Sequence, residues 1–189
     1  MNIFYIDSDP KLCAEWAVDK HVVKMILEAA QLLSTAHRVW DGTEYIEQKY
    51  VAGSLPARYR SVKRWRLSDG RDTILYSATH VNHPCAVWVR ESARNYTWLW
   101  SYLNEHCKEY TRRYGKIHKI EQDGLLDALK QLPTNIPRIV HRTPVPSAMD
   151  PKYIISEDPI VNYRNYYKVG KAHLHSWKAP ATAPDWISE

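Results

Sequence analysis

The sequence predicts an all-α fold, a compact single-domain helical structure over residues 1–189 with long irregular loops. Two runs of the chain support this prediction. Neither proline nor glycine interrupts residues 11 to about 38, where apolar side chains recur at the spacing of one helical face. A second run, 82–114, begins with a capped proline and ends before Gly115, which is typical of a helix terminus.

The N-terminal part combines a short extended segment with the start of the first long helix. Residues 3–6 are apolar and are interpreted as extended. Asp9 is the expected N-cap and Pro10 the first helical residue. A straight helix over the whole run would reach ~40 Å, so we expect a bend near Asp19.

The remaining segments are less regular. Residues 41–82 contain three glycines, one proline and no sustained period, so we interpret them as a basic loop or insertion with at most a short helix. A third helix is expected at 121–131. Residues 133–158 form a proline-rich surface segment, and 159–189 an aromatic, basic C-terminal segment with a last short helix to about Lys168.

Composition limits the class of protein and its partners. A net charge of +5 and a pI near 9.0 favour a polyanionic partner. The chain has no apolar run of ~20 residues, so no membrane partner is expected. The N-terminus does not resemble a secretory signal, and three scattered cysteines indicate a reducing compartment. We therefore expect a cytoplasmic protein, with no obligate protein partner evident.

The aromatic residues are unevenly distributed, with 13 Tyr and 8 Trp but a single Phe. Tyr and Trp combine a ring with a polar group, which suits interfaces and stacking on bases. A core whose polar ring atoms reach the surface would explain the same composition. Both interpretations stay open.

A stripe of polar side chains is expected on the first long helix. Its members recur at steps of three and four residues and are Lys20, His21, Lys24, Glu28, Gln31 and Thr35. The alternative is a solvated face with a Lys24–Glu28 ion pair worth a few tenths of a kcal/mol. Spacing alone does not decide between them.

Two stretches have the composition of nucleic-acid-binding surfaces. The first has five cations, two aromatic residues and no acid, and its cations are Arg58, Arg60, Lys63, Arg64 and Arg66. The second alternates rings with groups that can hold phosphates, and comprises Tyr163, Arg164, Tyr166, Tyr167, Lys168 and Lys171. The alternative for the second is a C-terminal helix that packs its tyrosines on the core.

Other chemistries lack their sequence signatures. There is no glycine-rich phosphate loop, and Pro84-Cys85 is not followed by the second cysteine of a zinc deaminase. Two histidine pairs, His80/His83 and His173/His175, are a weak metal signal without clustered cysteines or carboxylates. No metal site and no cofactor is predicted.

At these residues the chain resembles the phage endonuclease-V-type pyrimidine-dimer DNA glycosylases and their uncharacterised bacterial relatives. The likeness covers about half the chain and leaves 41–80 and 133–158 unmatched. Its motifs are Asp19-Lys20-His21 with Lys24, Glu28-Ala29 and Gln31; Asn82-His83-Pro84 with Ala86-Val87-Trp88; Cys107 to Glu109 with Arg113-Tyr114; and Tyr166-Tyr167 with Gly170-Lys171.

The resemblance implies a compact all-α fold and cleavage of an N-glycosidic bond in double-stranded DNA from which a nucleotide is flipped out. Glu28 would be the catalytic carboxylate, because cleavage develops positive charge on the sugar. Lys24, His21 and Asp19 would complete the catalytic set, with positive neighbours favouring the charged carboxylate. Lys20, Gln31 and His83 would join the DNA-binding residues named above.

The N-terminus departs from the family pattern. The phage enzyme attacks with the α-amine freed by removal of methionine from a small residue, whereas Met1 is here followed by the bulky Asn2. We therefore expect water activated by Glu28 and a monofunctional glycosylase. A Schiff base with Lys20 or Lys24 is the lower-ranked alternative.

The substrate and the function class stay open at this point. The excised pyrimidine is either a photodimer or a bulky phage base such as glucosylated hydroxymethylcytosine, which would indicate a role in phage defence or phage metabolism. A non-catalytic nucleic-acid-binding protein and a metal-dependent nuclease or base-modifying enzyme are the two alternatives.

Overall fold

The computed structural model describes residues 1–53, 56 and 58–188. Ser54, Leu55 and Ala57, which fall in the predicted loop 41–82, and Glu189 lie outside the described residues. About half of the chain is helical, and it also contains a two-stranded antiparallel sheet. The all-α prediction is therefore wrong, since the fold mixes helices with a β-hairpin.

The elements follow one another in a simple order. The helices are α1 (Pro10–Glu15), α2 (Asp19–Asp41), α3 (Arg71–Ile74), α4 (Pro84–Glu91), α5 (Ala93–Tyr114), α6 (Lys119–Gln122), α7 (Leu125–Ala128) and α8 (Pro159–Asn165). The strands are β1 (Thr43–Tyr50) and β2 (Tyr59–Arg66). A π-helical turn (Tyr166–Gly170) and 3₁₀ turns (Pro151–Tyr153, Ala172–Leu174, Asp185–Ile187) complete the description.

The core lies where α2 packs on α4 and α5, and α1 on α5. Apolar side chains of α2 such as Met25, Ile26 and Leu33 are almost fully buried there, beside Trp88 and Leu99. Their recurrence at helical spacing is the signal that predicted this face. No helix within the described part of the chain is long and apolar enough to cross a bilayer.

The expected bend near Asp19 is confirmed as a break between α1 and α2. Breaking a helix leaves carbonyl groups without partners. The buried guanidinium of Arg113 satisfies them, donating to the carbonyl oxygens of Ala17 at 2.8 Å and Glu15 at 2.9 Å. Its charge is balanced by the buried carboxylate of Glu109. The bend is thus held by α5.

The segment 41–82 is a β-hairpin followed by α3, and its interpretation as a loop with at most a short helix is wrong. The strands pair antiparallel from Thr43↔Arg66 to Tyr50↔Tyr59. Sequence patterning missed them because both faces of β1 are exposed, so no apolar alternation marks a buried side. Gly42 begins the hairpin at a close approach, since a Cβ there would lie 2.5 Å from the Arg38 carbonyl oxygen.

The second and third predicted helices are each divided. The run 82–114 is split by Ser92, which leaves α4 and caps α5 by accepting hydrogen bonds from the backbone N–H groups of Arg94 and Asn95. The third helix becomes α6 and α7, separated at Gly124, whose φ of 74° lies in the left-handed region. The last predicted helix corresponds to α8 and the π-helical turn.

Candidate active site

Glu28 lies in the middle of α2 and is only 8 % exposed, but both of its carboxylate oxygens have polar partners. Oε2 accepts a hydrogen bond from the backbone N–H of Asn2 at 2.8 Å and lies 3.8 Å from the α-amine of Met1. Oε1 lies 3.1 Å from Nζ of Lys24, one turn earlier on the helix. The carboxylate is therefore held between two cations.

The N-terminus is fixed in this position by the side chain of Asn2. Its Oδ1 accepts hydrogen bonds from the Ile3 N–H at 2.7 Å and from the Tyr163 hydroxyl at 2.9 Å, and its Nδ2 donates to the Ala148 carbonyl oxygen at 2.9 Å. The Met1 side chain is 2 % exposed and packs on the core, although the residue as a whole is only partly buried. The main chain of Met1, with its amine, is thus its accessible part.

His83 and Cys85 lie at the start of α4, near the N-terminus. His83 caps α4, and burial together with the nearby N-terminal charge lowers the pKa of its ring below the ordinary value. Burial raises the pKa of the Cys85 thiol to about 12, so the thiol stays protonated at neutral pH. Neither residue adds charge to the surroundings of Glu28.

His21 does not lie on an open polar face. It is 4 % exposed, its ring stacks on Phe4 at 4.1 Å between centroids, and its Nδ1 lies 2.6 Å from the Tyr167 hydroxyl. Burial, with the nearby charges of Lys171 and Lys24, lowers the pKa of His21 to about 3. The ring is therefore neutral at neutral pH and gives Glu28 no electrostatic support.

Asp19 begins α2 and ties the C-terminal segment to it. Its carboxylate accepts hydrogen bonds from Ser176 Oγ at 2.7 Å, from the Lys178 N–H at 2.9 Å and from Arg113 at 3.1 Å. Although burial opposes them, these bonds lower the pKa of Asp19 below its ordinary value. Nine residues separate it from Glu28, which is ~13 Å along a helix. Its contacts are those of a structural anchor.

The remaining predicted residues of α2 differ in access. Lys20 and Lys24 are exposed, Gln31 is half-buried one turn beyond Glu28, and Thr35 is fully buried. Thr35 receives a hydrogen bond from the backbone N–H of Thr79 at 3.1 Å. The polar stripe therefore runs from Lys24 through Glu28 and Gln31 to the loop that precedes α4.

Strand geometry divides the predicted basic residues. Side chains alternate between the faces of a strand, so Arg60, Arg64 and Arg66 share one face of β2 while Lys63 points to the other. Arg58 precedes the strand. The structure thus brings three of the five cations together on one face and places Lys63 on the other.

The C-terminal aromatic residues are divided between the core and the surface. Tyr163 and Tyr167 are fully buried, and Arg164 is held by the Ile6 carbonyl oxygen at 2.9 Å and the Asp7 carboxylate at 3.0 Å. Tyr166, Lys168 and Lys171 are half-buried, with Lys171 Nζ 4.8 Å from the centroid of the Tyr166 ring. These three are partly accessible to a ligand, whereas the guanidinium of Arg164, although also partly exposed, is already bound by Ile6 and Asp7.

The two histidine pairs do not gather further ligands. Among the residues that the structure describes, no group of three or more histidine, cysteine, aspartate or glutamate side chains is placed to hold a metal ion.

The expectation of water as the nucleophile set the terminal amine aside because of Asn2, and it did not foresee that Asn2 and Tyr163 hold the amine of Met1 beside Glu28. No local pattern relates residues 1 and 2 to a glutamate 26 positions later, because the contact depends on how the extended N-terminus crosses α2. The departure of Asn2 from the family pattern could have pointed to this contact. Its side chain accepts hydrogen bonds from the Ile3 N–H and the Tyr163 hydroxyl and so fixes the N-terminus.

A nearly buried carboxylate beside a fixed N-terminal amine, on a helix that leads to a basic hairpin, is an arrangement suited to acid–base or nucleophilic chemistry on a polyanionic substrate. The comparisons agree. Residues 1–122, which include α1 to α6 and every contact of Glu28 described above, match the family described as pyrimidine dimer DNA glycosylase, and the chain belongs to this family.

Membership in this family makes the protein a DNA glycosylase, an enzyme that cleaves N-glycosyl bonds, with DNA as its substrate. The resemblance seen in the sequence is thereby confirmed. No curated protein and no solved structure matches the chain significantly.

Proposed function

We propose that this protein excises a pyrimidine from dimer-containing duplex DNA, with Glu28 as the catalytic carboxylate and the N-terminal α-amine as the nucleophile. The observation that supports this most directly is the 3.8 Å approach of the Met1 amine to Glu28 Oε2. Should Met1 be absent, the nitrogen of Asn2 would become the terminal amine, and it lies 2.8 Å from the same oxygen. In both forms the chain presents an amine at the carboxylate.

The chemistry follows from this pairing. Glu28 takes a proton from the ammonium, and the freed lone pair forms a bond to C1′ of the extruded nucleotide. The bond from C1′ to the base nitrogen breaks, its electron pair leaves with the base, and the base takes up a proton. Opening of the sugar ring, with proton transfer to O4′, then gives an imine between the amine and C1′. Glu28 stabilises the positive charge that develops on the sugar.

Lys24 is the alternative amine, and its surroundings make it the weaker candidate. Its side chain is 64 % exposed, whereas the Met1 side chain is anchored in the core. A fixed amine reaches its target with less loss of conformational freedom. Lys24 instead suits a phosphate beside the target nucleotide, because its flexible ammonium can leave Glu28 without disturbing the core.

The DNA must present the nucleotide outside its helix, since the anomeric carbon is otherwise shielded by the stack. We propose that the target is flipped towards Glu28 and that the accessible cations hold the flanking phosphates. They are Lys20, Lys24, Arg60, Arg64, Arg66, Lys168 and Lys171, with Gln31 and Tyr166 near the extruded nucleotide.

Cleavage of the N-glycosyl bond in photodimer-containing duplex DNA, in the presence of EDTA, tests the proposed function. Because the cyclobutane ring keeps the cleaved pyrimidine joined to its neighbour, base release is measured after photoreversal of the dimer. We expect the wild-type protein to release the base and Glu28→Gln to be slower by about 10²–10⁴-fold, the usual contribution of such a group. Glu105→Gln is the matched control, since Glu105 also pairs with a lysine, Lys108, on another helix. DNA binding without base release would indicate a non-catalytic binding protein, and activity that needs a divalent metal would indicate a nuclease. Either result contradicts the proposal.

Borohydride reduction during the reaction tests the nucleophile. An amine attack gives an imine that borohydride converts into a stable protein–DNA adduct, and the peptide that carries the adduct identifies the nitrogen. We expect the N-terminal peptide. An adduct on Lys20 or Lys24, or an intact abasic strand with no adduct, would show instead that a lysine or water attacks.

A further inference from the structure

The hairpin β1–β2 has two chemically different faces. Directly paired residues lie on the same face of a sheet. One face has three arginines, a lysine, a tyrosine and a single acid among its larger side chains, namely Arg66, Arg64, Arg60, Lys49, Tyr45 and Glu47. The other is largely apolar, with Trp65, Ile46, Tyr50 and Tyr59, and its charged residues Lys63 and Glu44 pair with each other at 2.9 Å. The first set is called the cationic face below.

The base of the hairpin is rigidly attached to the C-terminal end of α2. The buried guanidinium of Arg38 donates to the Trp65 carbonyl oxygen at 3.0 Å, to Asp72 Oδ1 at 2.7 Å and to the Leu75 carbonyl oxygen at 2.8 Å. One residue before the hairpin, the carboxylate of Asp41 accepts from Arg71 at 2.6 Å. Such contacts fix the direction in which the strands leave the core.

Beyond its base, where Tyr45 and residues 62–66 border residues 77–82, the described part of the hairpin is largely exposed. Every residue of β1 is exposed, including Tyr50 at 49 %, and Tyr59 on β2 is 65 % exposed. An isolated two-stranded hairpin is only marginally stable in water. A hairpin held firmly at one end and exposed on both faces has the form of an arm that a partner completes.

Charge complementarity identifies the partner of the cationic face. Its four cations exceed its single acid by three, and Glu47 is already bound by Arg64 at 2.7 Å. The guanidinium carbon of Arg66 lies 5.1 Å from the centroid of the Tyr45 ring, and this contact keeps the guanidinium on the cationic face. Such a row of cations along a strand matches a row of phosphates.

We propose that the hairpin is a DNA-gripping arm whose cationic face lies along the phosphate backbone of the duplex flanking the target nucleotide. The inference rests on the proposed function and adds a second, non-catalytic contact region. Eight-residue strands are ~26 Å long, which equals the axial rise of about eight base pairs at ~3.4 Å each. From Glu28 to Arg38, α2 adds ~15 Å. The arm therefore contacts DNA outside the immediate surroundings of the target.

Lys49 belongs to this surface although the basic stretch of the sequence does not contain it. It is paired in register with Arg60, so the two cations lie side by side on the cationic face. Because both are exposed, their replacement leaves the core unchanged. They are therefore the residues with which the arm is best tested.

The test compares two single substitutions on the same strand. Arg60→Ser and Lys63→Ser each remove one positive charge, from opposite faces of β2. We expect Arg60→Ser to reduce the slope of log affinity against log salt by about 0.9, the value for one lost phosphate contact, and Lys63→Ser to leave it unchanged. Equal effects of the two substitutions, or none from Arg60→Ser, would overturn the assignment of the cationic face.

Duplex length provides the second measurement. Binding of the wild-type protein is compared on a long duplex with a central dimer and on duplexes trimmed to four base pairs on one side or the other. We expect trimming on one side to weaken binding of the wild-type protein. We expect the double variant Lys49→Ser/Arg60→Ser to bind the long duplex about as weakly as the wild type binds the duplex trimmed on that side. If the double variant still loses affinity on trimming as the wild type does, the arm is not the contact.

The two proposals fail in different ways. The proposed function is contradicted if the wild-type protein releases no base, measured after photoreversal, from any dimer-containing duplex. The proposed role of the arm is contradicted if the DNA affinity of Lys49→Ser/Arg60→Ser depends on salt and on duplex length as that of the wild type does. This measurement needs only binding and does not depend on base release.

Discussion

The middle of α2 at Glu28 and its C-terminal end at Arg38 are built in opposite ways. Glu28 is held by Met1 and Asn2 from a distant part of the chain and by Lys24 on its own helix, and the N-terminus is packed into the core beside it. At Arg38 the same helix supports a hairpin that is fixed at its base and exposed along its length. Glu28 is thus positioned by burial, whereas the hairpin is positioned by an anchor at its base and, as we propose, stabilised by the DNA that it binds.

The largest expected effect on activity comes from moving the N-terminal amine away from Glu28. We expect a Gly-Ser extension ahead of Met1 to reduce base release and borohydride trapping by at least ~100-fold, because displacement of a reacting group by about 1 Å can already cost that much. The same two residues added after Glu189 are the control. Full activity of the N-terminally extended protein would exclude the terminal amine as nucleophile.

The next largest effect concerns stability at the break between α1 and α2. Arg113 is fully buried and binds three carbonyl groups there, whereas Arg112 binds the same carboxylate of Glu109 with a side chain that is 41 % exposed. We expect Arg113→Ala to lower the free energy of unfolding by about 3–5 kcal/mol, and Arg112→Ala by less than about 1 kcal/mol. Urea denaturation measures both. Equal losses would show that the carbonyl contacts of Arg113 contribute nothing.

The helical half of this architecture could be predicted from the sequence, and the reasons are local. Apolar spacing along α2 and the capping residue Asp9 are features of neighbouring positions. Glu28 was singled out because its turn of helix resembles a known family, and the family match confirms the resemblance. These are the parts of the fold in which sequence neighbours are also neighbours in space.

What the sequence did not predict depends on contacts between distant positions. The hairpin places most of its cations on one face and mostly apolar residues on the other, but neither face of β1 is buried, so the alternation marks no side that packs on the core. The burial of Tyr163 and Tyr167 follows from how α8 crosses the N-terminus, which brings Tyr163 to Asn2 across 161 positions. The alternation of rings and cations in 163–171 is compatible both with a core helix and with a DNA-binding tail, so the sequence alone did not distinguish the two.

Substitution of Gly42 tests whether the direction in which the arm leaves the core matters. In Gly42→Ala the new methyl group would meet the backbone carbonyl oxygens of Arg38 at 2.5 Å and Arg66 at 3.1 Å, so the start of the hairpin must shift. We expect a loss of about 1–3 kcal/mol in unfolding free energy, together with weaker binding to long duplexes. Gly70→Ala is the control, because a methyl group there meets no atom within 4 Å. A Gly42→Ala protein that binds long duplexes as the wild type does would show that the direction of the arm is unimportant.

The smallest effect is a dependence of stability on pH that belongs to the packed half of the molecule alone. Burial lowers the pKa of His21 to about 3, and of His37 and His106 to about 4, below the ordinary value of 6.5. Between these values and 6.5 the unfolded chain binds more protons than the folded one, so acid favours unfolding. Stability is therefore complete above about pH 6.5 and falls as the pH drops towards 4.

One of these rings offers a way to isolate the effect. His106 donates to the Tyr102 carbonyl oxygen through Nδ1, and its buried Nε2 has no hydrogen-bond partner among the described residues. In His106→Phe we expect the loss of unfolding free energy between pH 6.5 and 5 to shrink by up to about 1.4 kcal/mol per pH unit, the limit for one group. Urea denaturation at both pH values measures it. Because the hairpin contains no histidine, binding of long duplexes through the arm should not depend on pH in this way. An unchanged pH profile of stability in His106→Phe would mean that this ring titrates in the folded protein as it does in the unfolded chain.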